Sequence, residues 1–144
     1  MFIGQYEHNL EEKGRLSIPK KFRADLAGGG VLTRGLDGCL FLFPRERWNE
    51  FIAKLSQTPL TKADGRGFGR LLTYGATEVE LDRQGRILIP EFLREFATLK
   101  STIVVAGALE RIEIWSKENF AAYQEKIEKD SENIAERLAD LGIL

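Results

Sequence analysis

The chain predicts an α+β protein built from two tandem copies of one unit, folded on each other as an intramolecular pseudo-dimer with helices after each copy. Three observations lead there. The stretch Leu10-Glu11-Glu12-Lys13-Gly14-Arg15-Leu16-Ser17-Ile18-Pro19 returns 71 positions later as Leu81-Asp82-Arg83-Gln84-Gly85-Arg86-Ile87-Leu88-Ile89-Pro90, and such self-similarity marks a duplicated structural unit. Short apolar runs of strand length and an apolar helical stripe then follow each copy in the same order. With 144 residues, 43% of them hydrophobic, the chain can bury one respectable core or two small ones fused together.

Phe2 to Leu10 is expected to be a strand that enters the first repeated stretch. An acid, two polar residues, a glycine and an arginine suit a type I turn, with Gly14 or Gly85 in the left-handed conformation as a bulge. In that geometry Glu11 and Arg15 face each other across a hairpin, as do Asp82 and Arg86, and can pair. Leu16 and Ile18, and again Ile87 and Ile89, alternate with polar or less buried positions, as in a half-buried strand. Pro19 and Pro90 suit the first turn of a short helix, Lys20 to Leu26 or Glu91 to Phe96, where a missing N–H costs little.

Gly28-Gly29-Gly30 then predicts a turn, and Val31 to Gly35 and Leu40 to Phe43 two strands about Leu36-Asp37-Gly38. Pro44 starts a helix whose Trp48, Phe51, Ile52 and Leu55 fall on one stripe. The second copy repeats the plan with one extra residue: strands at Thr102 to Gly107 and Arg111 to Trp115, Ser116 as N-cap, then a helix to about Leu138. Along this segment Phe120, Ile127, Ile134 and Leu141 recur every seven residues, a stripe suited to its own domain or to a neighbouring subunit. The organisation expected is therefore a first repeat at 1–55, a linker with a short helix at 56–76, a second repeat at 77–120, and a C-terminal helix at 116–144. Gly65-Arg66-Gly67-Phe68-Gly69-Arg70 in the linker lacks the preceding strand and the following Lys-Ser/Thr of a phosphate loop.

Composition narrows the function. One cysteine, Cys39, excludes an internal disulfide and suits a reducing compartment. No apolar run is long enough to span a membrane, and no apolar signal core follows the N-terminus. Net charge is −1, but residues 1–72 hold 12 basic and 8 acidic side chains, whereas residues 73–144 hold 9 and 14. Lys13, Arg15, Lys20, Lys21 and Arg23 occupy eleven residues without an acid, a local basic patch on a near-neutral chain. Catalysis is not supported. A single histidine, His8, has no metal-binding companion, no nucleophile is coupled to a base, and an arginine beside each carboxylate holds Glu11 and Asp82 ionised. No cofactor or metal is expected.

Two copies of an acid-x-x-Gly-Arg-hydrophobic-x-Ile-Pro hairpin in a chain of this size resemble the MraZ family, and the likeness covers almost the whole chain. The resemblance implies two tandem AbrB-like swapped-hairpin β-barrel repeats. It also implies a cytoplasmic, nucleoid-associated transcriptional regulator that binds double-stranded DNA at promoter repeats. By the same token it acts on the division and cell-wall gene cluster, usually as a repressor, as a homo-oligomeric ring that is often octameric. The family's Asp-x-x-x-Arg signature stands in the second copy as Asp82 and Arg86; the first has Glu11 ahead of Arg15. Arg15 and Arg86 are then the expected principal DNA contacts, beside Lys13, Arg83, Lys20, Lys21, Arg23 and Arg94, with Glu11 and Asp82 positioning the arginines. Phe120, Ile127, Ile134 and Leu141 are the expected subunit interface. The competing class is a non-catalytic oligomeric scaffold that binds protein partners through its acidic C-terminal helix.

Overall fold

Leu40-Phe41-Leu42-Phe43 is apolar at every position, so a strand made from it must be covered on both faces. The computed structural model, which describes Met1–Leu144, covers it so. Its strands are Gln5–Asn9 (β1), Arg15–Ser17 (β2), Gly30–Arg34 (β3), Leu40–Pro44 (β4), Thr77–Val79 (β5), Arg86–Leu88 (β6), Thr102–Ala108 (β7) and Arg111–Ser116 (β8). Its helices are Lys20–Arg23 (α1), Arg45–Leu55 (α2), Ala63–Tyr74 (α3), Glu91–Phe96 (α4) and Lys117–Asp140 (α5). Six strands form one sheet in the order β1-β7-β8-β4-β3-β5, and β2 with β6 forms a separate two-stranded ribbon.

The sheet carries the duplication in its pairing. Only β3–β4 and β7–β8 are hairpins within one copy. Every other pair joins the copies: β1 lies on β7, β5 on β3, β2 on β6, and β4 meets β8 at the centre. Each copy thus lends its first two strands to the other, which makes the chain a tandem α+β pseudo-dimer. One face of the sheet buries Leu32, Leu40, Leu42, Ile112 and Ile114 against Leu16, Ile18, Ile87 and Ile89 of the ribbon and Phe22 and Leu93 of α1 and α4. The other face buries Cys39, Phe41, Phe43, Val104 and Trp115 beneath Trp48 and Phe51 of α2 and Phe120 and Tyr123 of α5. Leu42, at 0% exposure, sits in the middle of this; truncating such a side chain to alanine costs about 2–5 kcal/mol.

Three expectations are corrected. The barrel is not closed, because β1 and β5 are edges of an open sheet. The reason lies in the repeated turn. One backbone bond, from the Glu11 N–H to the Arg15 carbonyl at 2.8 Å, joins β1 to β2 before they diverge to different partners, so the turn is a corner and not a paired hairpin. The short helix expected in the linker begins earlier than its apolar residues suggest: Gly65 to Arg70 lies inside the 12-residue α3. Three glycines cost a helix about 1 kcal/mol each, but Leu72 is 1% exposed and the Leu72 carbonyl accepts a 2.6 Å bond from the Thr33 hydroxyl. Tertiary anchoring on β3 outweighs propensity there. The first short helix is α only to Arg23 and continues as a 3₁₀ turn, Ala24–Leu26. Ser116 does cap α5, accepting from the Asn119 N–H at 3.0 Å. No helix is long and apolar enough to cross a membrane.

Candidate nucleic-acid interface

The ribbon is built from the two most similar pieces of sequence, and alternation sorts its residues. Leu16, Ile18, Ile87 and Ile89 are at most 2% exposed, so Arg15, Ser17, Arg86 and Leu88 stand on the outer face. Pairing is antiparallel, Arg15 opposite Leu88 and Ser17 opposite Arg86. Two equivalent bonds frame it, the Ile18 N–H to the Gly85 carbonyl at 2.9 Å and the Ile89 N–H to the Gly14 carbonyl at 2.8 Å. Arg15 and Arg86 therefore share one face, two residues apart in register.

The turns that lead into the ribbon are not alike. In the second, one Asp82 carboxylate oxygen accepts the N–H groups of Gln84 and Arg86, each at 2.9 Å, and the other accepts Nε of Arg86 at 2.9 Å. The Arg86 N–H, above all, holds the Asp82 carboxyl below its ordinary range. Arg86 in turn is held charged by its bonds to Asp82 first and Glu11 second. Only Gly85 is left-handed there, at φ 77°.

In the first turn Lys13 (φ 64°) and Gly14 (φ 86°) are both left-handed, which departs from the type I expectation. Glu11 does not pair with Arg15 as expected. Its Oε1 accepts from Nη1 of Arg86 at 2.9 Å. The extra methylene carries the carboxylate past its own turn to the arginine that the swapped ribbon brings alongside. Arg86 is thereby clamped by two carboxylates and Arg15 by none: Arg15 is exposed and makes no side-chain hydrogen bond or ion pair.

Lys13 and Arg83 in the two turns, and Lys20 and Lys21 at the start of α1, are also exposed and unpaired with any carboxylate. Arg23 and Arg94 are different. Nε of Arg23 donates to the Ile18 carbonyl at 2.8 Å and Nε of Arg94 to the Ile89 carbonyl at 3.0 Å. Each guanidinium lies over the other copy's turn glycine: a Cβ on Gly85 would collide with Arg23, and one on Gly14 with the Ile89 carbonyl and Arg94. This gives both arginines a structural part that local sequence did not signal, since the contact exists only after the copies exchange strands. Leu88, on the less-buried side of the alternation, is a large apolar residue of this face that the sequence reading does not count among the site residues.

Along α5, Phe120 meets Trp115 edge-on at 5.9 Å and so belongs to the internal core. Ile127 and Ile134 are half-buried and Leu141 is 73% exposed. Burial pushes the Cys39 thiol well above its ordinary range, which leaves it a protonated core residue.

A family model described as "MraZ protein, putative antitoxin-like" matches twice, over residues 1–71 and 72–142. The chain is 49% identical over 143 residues to the transcriptional regulator MraZ of Thermoanaerobacter sp. (strain X514), spanning 99% of this chain and 100% of that protein. It is 46% identical over 143 residues, with the same coverage, to the transcriptional regulator MraZ of Natranaerobius thermophilus. Two matches that divide the chain within α3, one to each copy of the repeated turn, and relatives alike from end to end agree with the duplication: the chain belongs to the MraZ family of transcriptional regulators.

Proposed function

We propose that the outer face of the ribbon binds double-stranded DNA and gives the protein its sequence preference. One observation carries this reading: Arg15 on the ribbon, Lys13 and Arg83 in the turns that lead into it, and Lys20 and Lys21 in the helix that follows β2 are all exposed, with no carboxylate paired to any of them. A two-stranded ribbon is narrow enough to enter the major groove, where guanidinium groups bond guanine O6 and N7 while flanking lysines neutralise phosphates. Arg15, unpaired, is the principal reader; Arg86, oriented by Asp82 and Glu11, is the second. Arg23 and Arg94 reach the backbone only with what their anchoring leaves free.

In the cell the protein acts in the cytoplasm, associated with the nucleoid, at promoter repeats of the division and cell-wall gene cluster that includes its own promoter, as a repressor. It does so as an octameric ring closed through Ile127 and Ile134 of α5 and Leu141 just beyond its end, so that several ribbons engage successive repeats together. The acidic α5 supports the competing scaffold reading. A mobility-shift assay on the protein's own upstream DNA, with electron microscopy of the complex, separates the two. DNA binding requires a retarded, ring-containing complex that excess unrelated DNA does not remove; a scaffold gives rings with no retardation.

A further inference from the structure

Leu88 is the one large apolar side chain on the outer face of the ribbon, and it is 52% exposed. Its neighbours Ile87 and Ile89 are buried at 2% and 0%, so Leu88 points directly away from the core. Its cross-strand partner is Arg15. The framing bonds at Gly14–Ile89 and Gly85–Ile18 make Arg15–Leu88 a non-hydrogen-bonded pair, in which Cα atoms stand about 4.5 Å apart and side chains run close together. A guanidinium that addresses one base pair therefore has a branched alkyl group at its side, at a spacing comparable with the stacking rise of duplex DNA, about 3.4 Å. The first copy has Ser17 at the equivalent place, so the apolar group belongs to one half of the pseudo-dimer.

In the major groove the single apolar feature among the base edges is the thymine C5-methyl group. Resting on the DNA-binding reading above, we propose that Leu88 forms a subsite for a thymine methyl on the base pair next to the one that Arg15 addresses. The interface then reads an asymmetric step, a guanine beside a thymine, although the two copies are related by pseudo-symmetry. Burying one methyl against Leu88 is worth about a fourfold change in affinity.

The test uses the full chain and two preparations of its upstream DNA, one with thymine and one in which uracil replaces every thymine, which removes only the methyl groups. Wild type should bind the thymine form about fourfold or more tightly than the uracil form. Leu88→Ser, which copies Ser17, should bind the two forms equally while keeping the wild-type thermal midpoint. Equal binding of both forms by wild type overturns the proposal and leaves Leu88 as a prop for the Arg15 stem. Discrimination that persists in Leu88→Ser also overturns it, because the methyl is then read elsewhere. Absence of binding to either form by wild type would count against the DNA reading itself, an outcome distinct from both.

Discussion

The two turns place an acid, a glycine and an arginine at the same spacing, but the acids differ by one methylene: Asp82 closes its own turn and Glu11 leaves its turn open. Asp82 is short enough to fold its carboxylate back onto the N–H groups of Gln84 and Arg86 and the side chain of Arg86. Glu11 overshoots its own turn and joins the same arginine from the other copy. One arginine is therefore pre-oriented and half-buried, the other exposed and unpaired. A duplicated sequence inside one chain is free to diverge in this way, whereas two identical subunits are not. A pre-oriented guanidinium loses little entropy on binding, and a free one adapts to the base it meets. The molecule holds one of each.

The largest effect expected from breaking this comparison is on folding. Gly14→Ala puts a Cβ 2.5 Å from the Ile89 carbonyl at a left-handed φ, and should cost about 2–4 kcal/mol in denaturant unfolding. Gly85→Ala should cost less, because its obstacle is the side chain of Arg23, which can swing away. Equal costs would mean that the backbone approach at the first turn is no tighter than at the second.

Next is the division of labour between the arginines. Arg15→Ala should weaken specific DNA binding about 5- to 150-fold, as loss of one bidentate base contact does, with no change in thermal midpoint. Arg86→Ala should weaken binding and also lower the midpoint, since it leaves Asp82 and Glu11 without their shared cation. A lowered midpoint for Arg15→Ala would show a structural role that its lack of partners contradicts.

The copies also differ in what surrounds the arginines: Lys13, Lys20 and Lys21 answer to Gln84, Glu91 and Phe92. Each phosphate neutralised adds about 0.9 to the slope of log affinity against log salt. Replacing the three lysines should flatten that slope by about 2–3 units per engaged subunit, and replacing Arg83 by no more than about one. An affinity series across salt concentrations measures both; an unchanged slope in the lysine variant turns that stretch away from DNA.

The smallest effect is on acid stability. The Asp82 carboxyl is depressed when folded, so its contribution is fully present above the ordinary carboxyl pKa and is lost as pH falls through the folded value. Below about pH 4 the second turn should loosen. Asp82→Asn should remove that part of the acid-induced fall in thermal midpoint; an identical pH profile in the variant would show that the carboxylate does not close the turn.

Much of this was legible in sequence because the physics is local. Gly14 and Gly85 mark left-handed positions, Leu16/Ile18 and Ile87/Ile89 alternate into the core, and Ser116 caps α5. What could not be read depends on the exchange of strands. The pairing of Glu11 with Arg86 spans 75 positions, and the seating of Arg23 on the second turn and Arg94 on the first is equally non-local. The helical state of Gly65 to Arg70 also escaped, because propensity opposes it and the Leu72–Thr33 anchor that secures it lies outside the segment. The unequal length of the helices was partly visible in the seven-residue spacing that continues after Phe120: α2 ends at Leu55, while α5 runs unbroken to Asp140.

The claim that the outer ribbon face is the DNA-binding surface is tested most directly by Arg15→Ala combined with Arg86→Ala. Affinity for the upstream DNA should be measured in a preparation shown to be folded by its cooperative thermal transition and wild-type oligomer mass. Specific binding should fall to the level seen with unrelated DNA. Wild-type affinity in that folded double variant would contradict the claim.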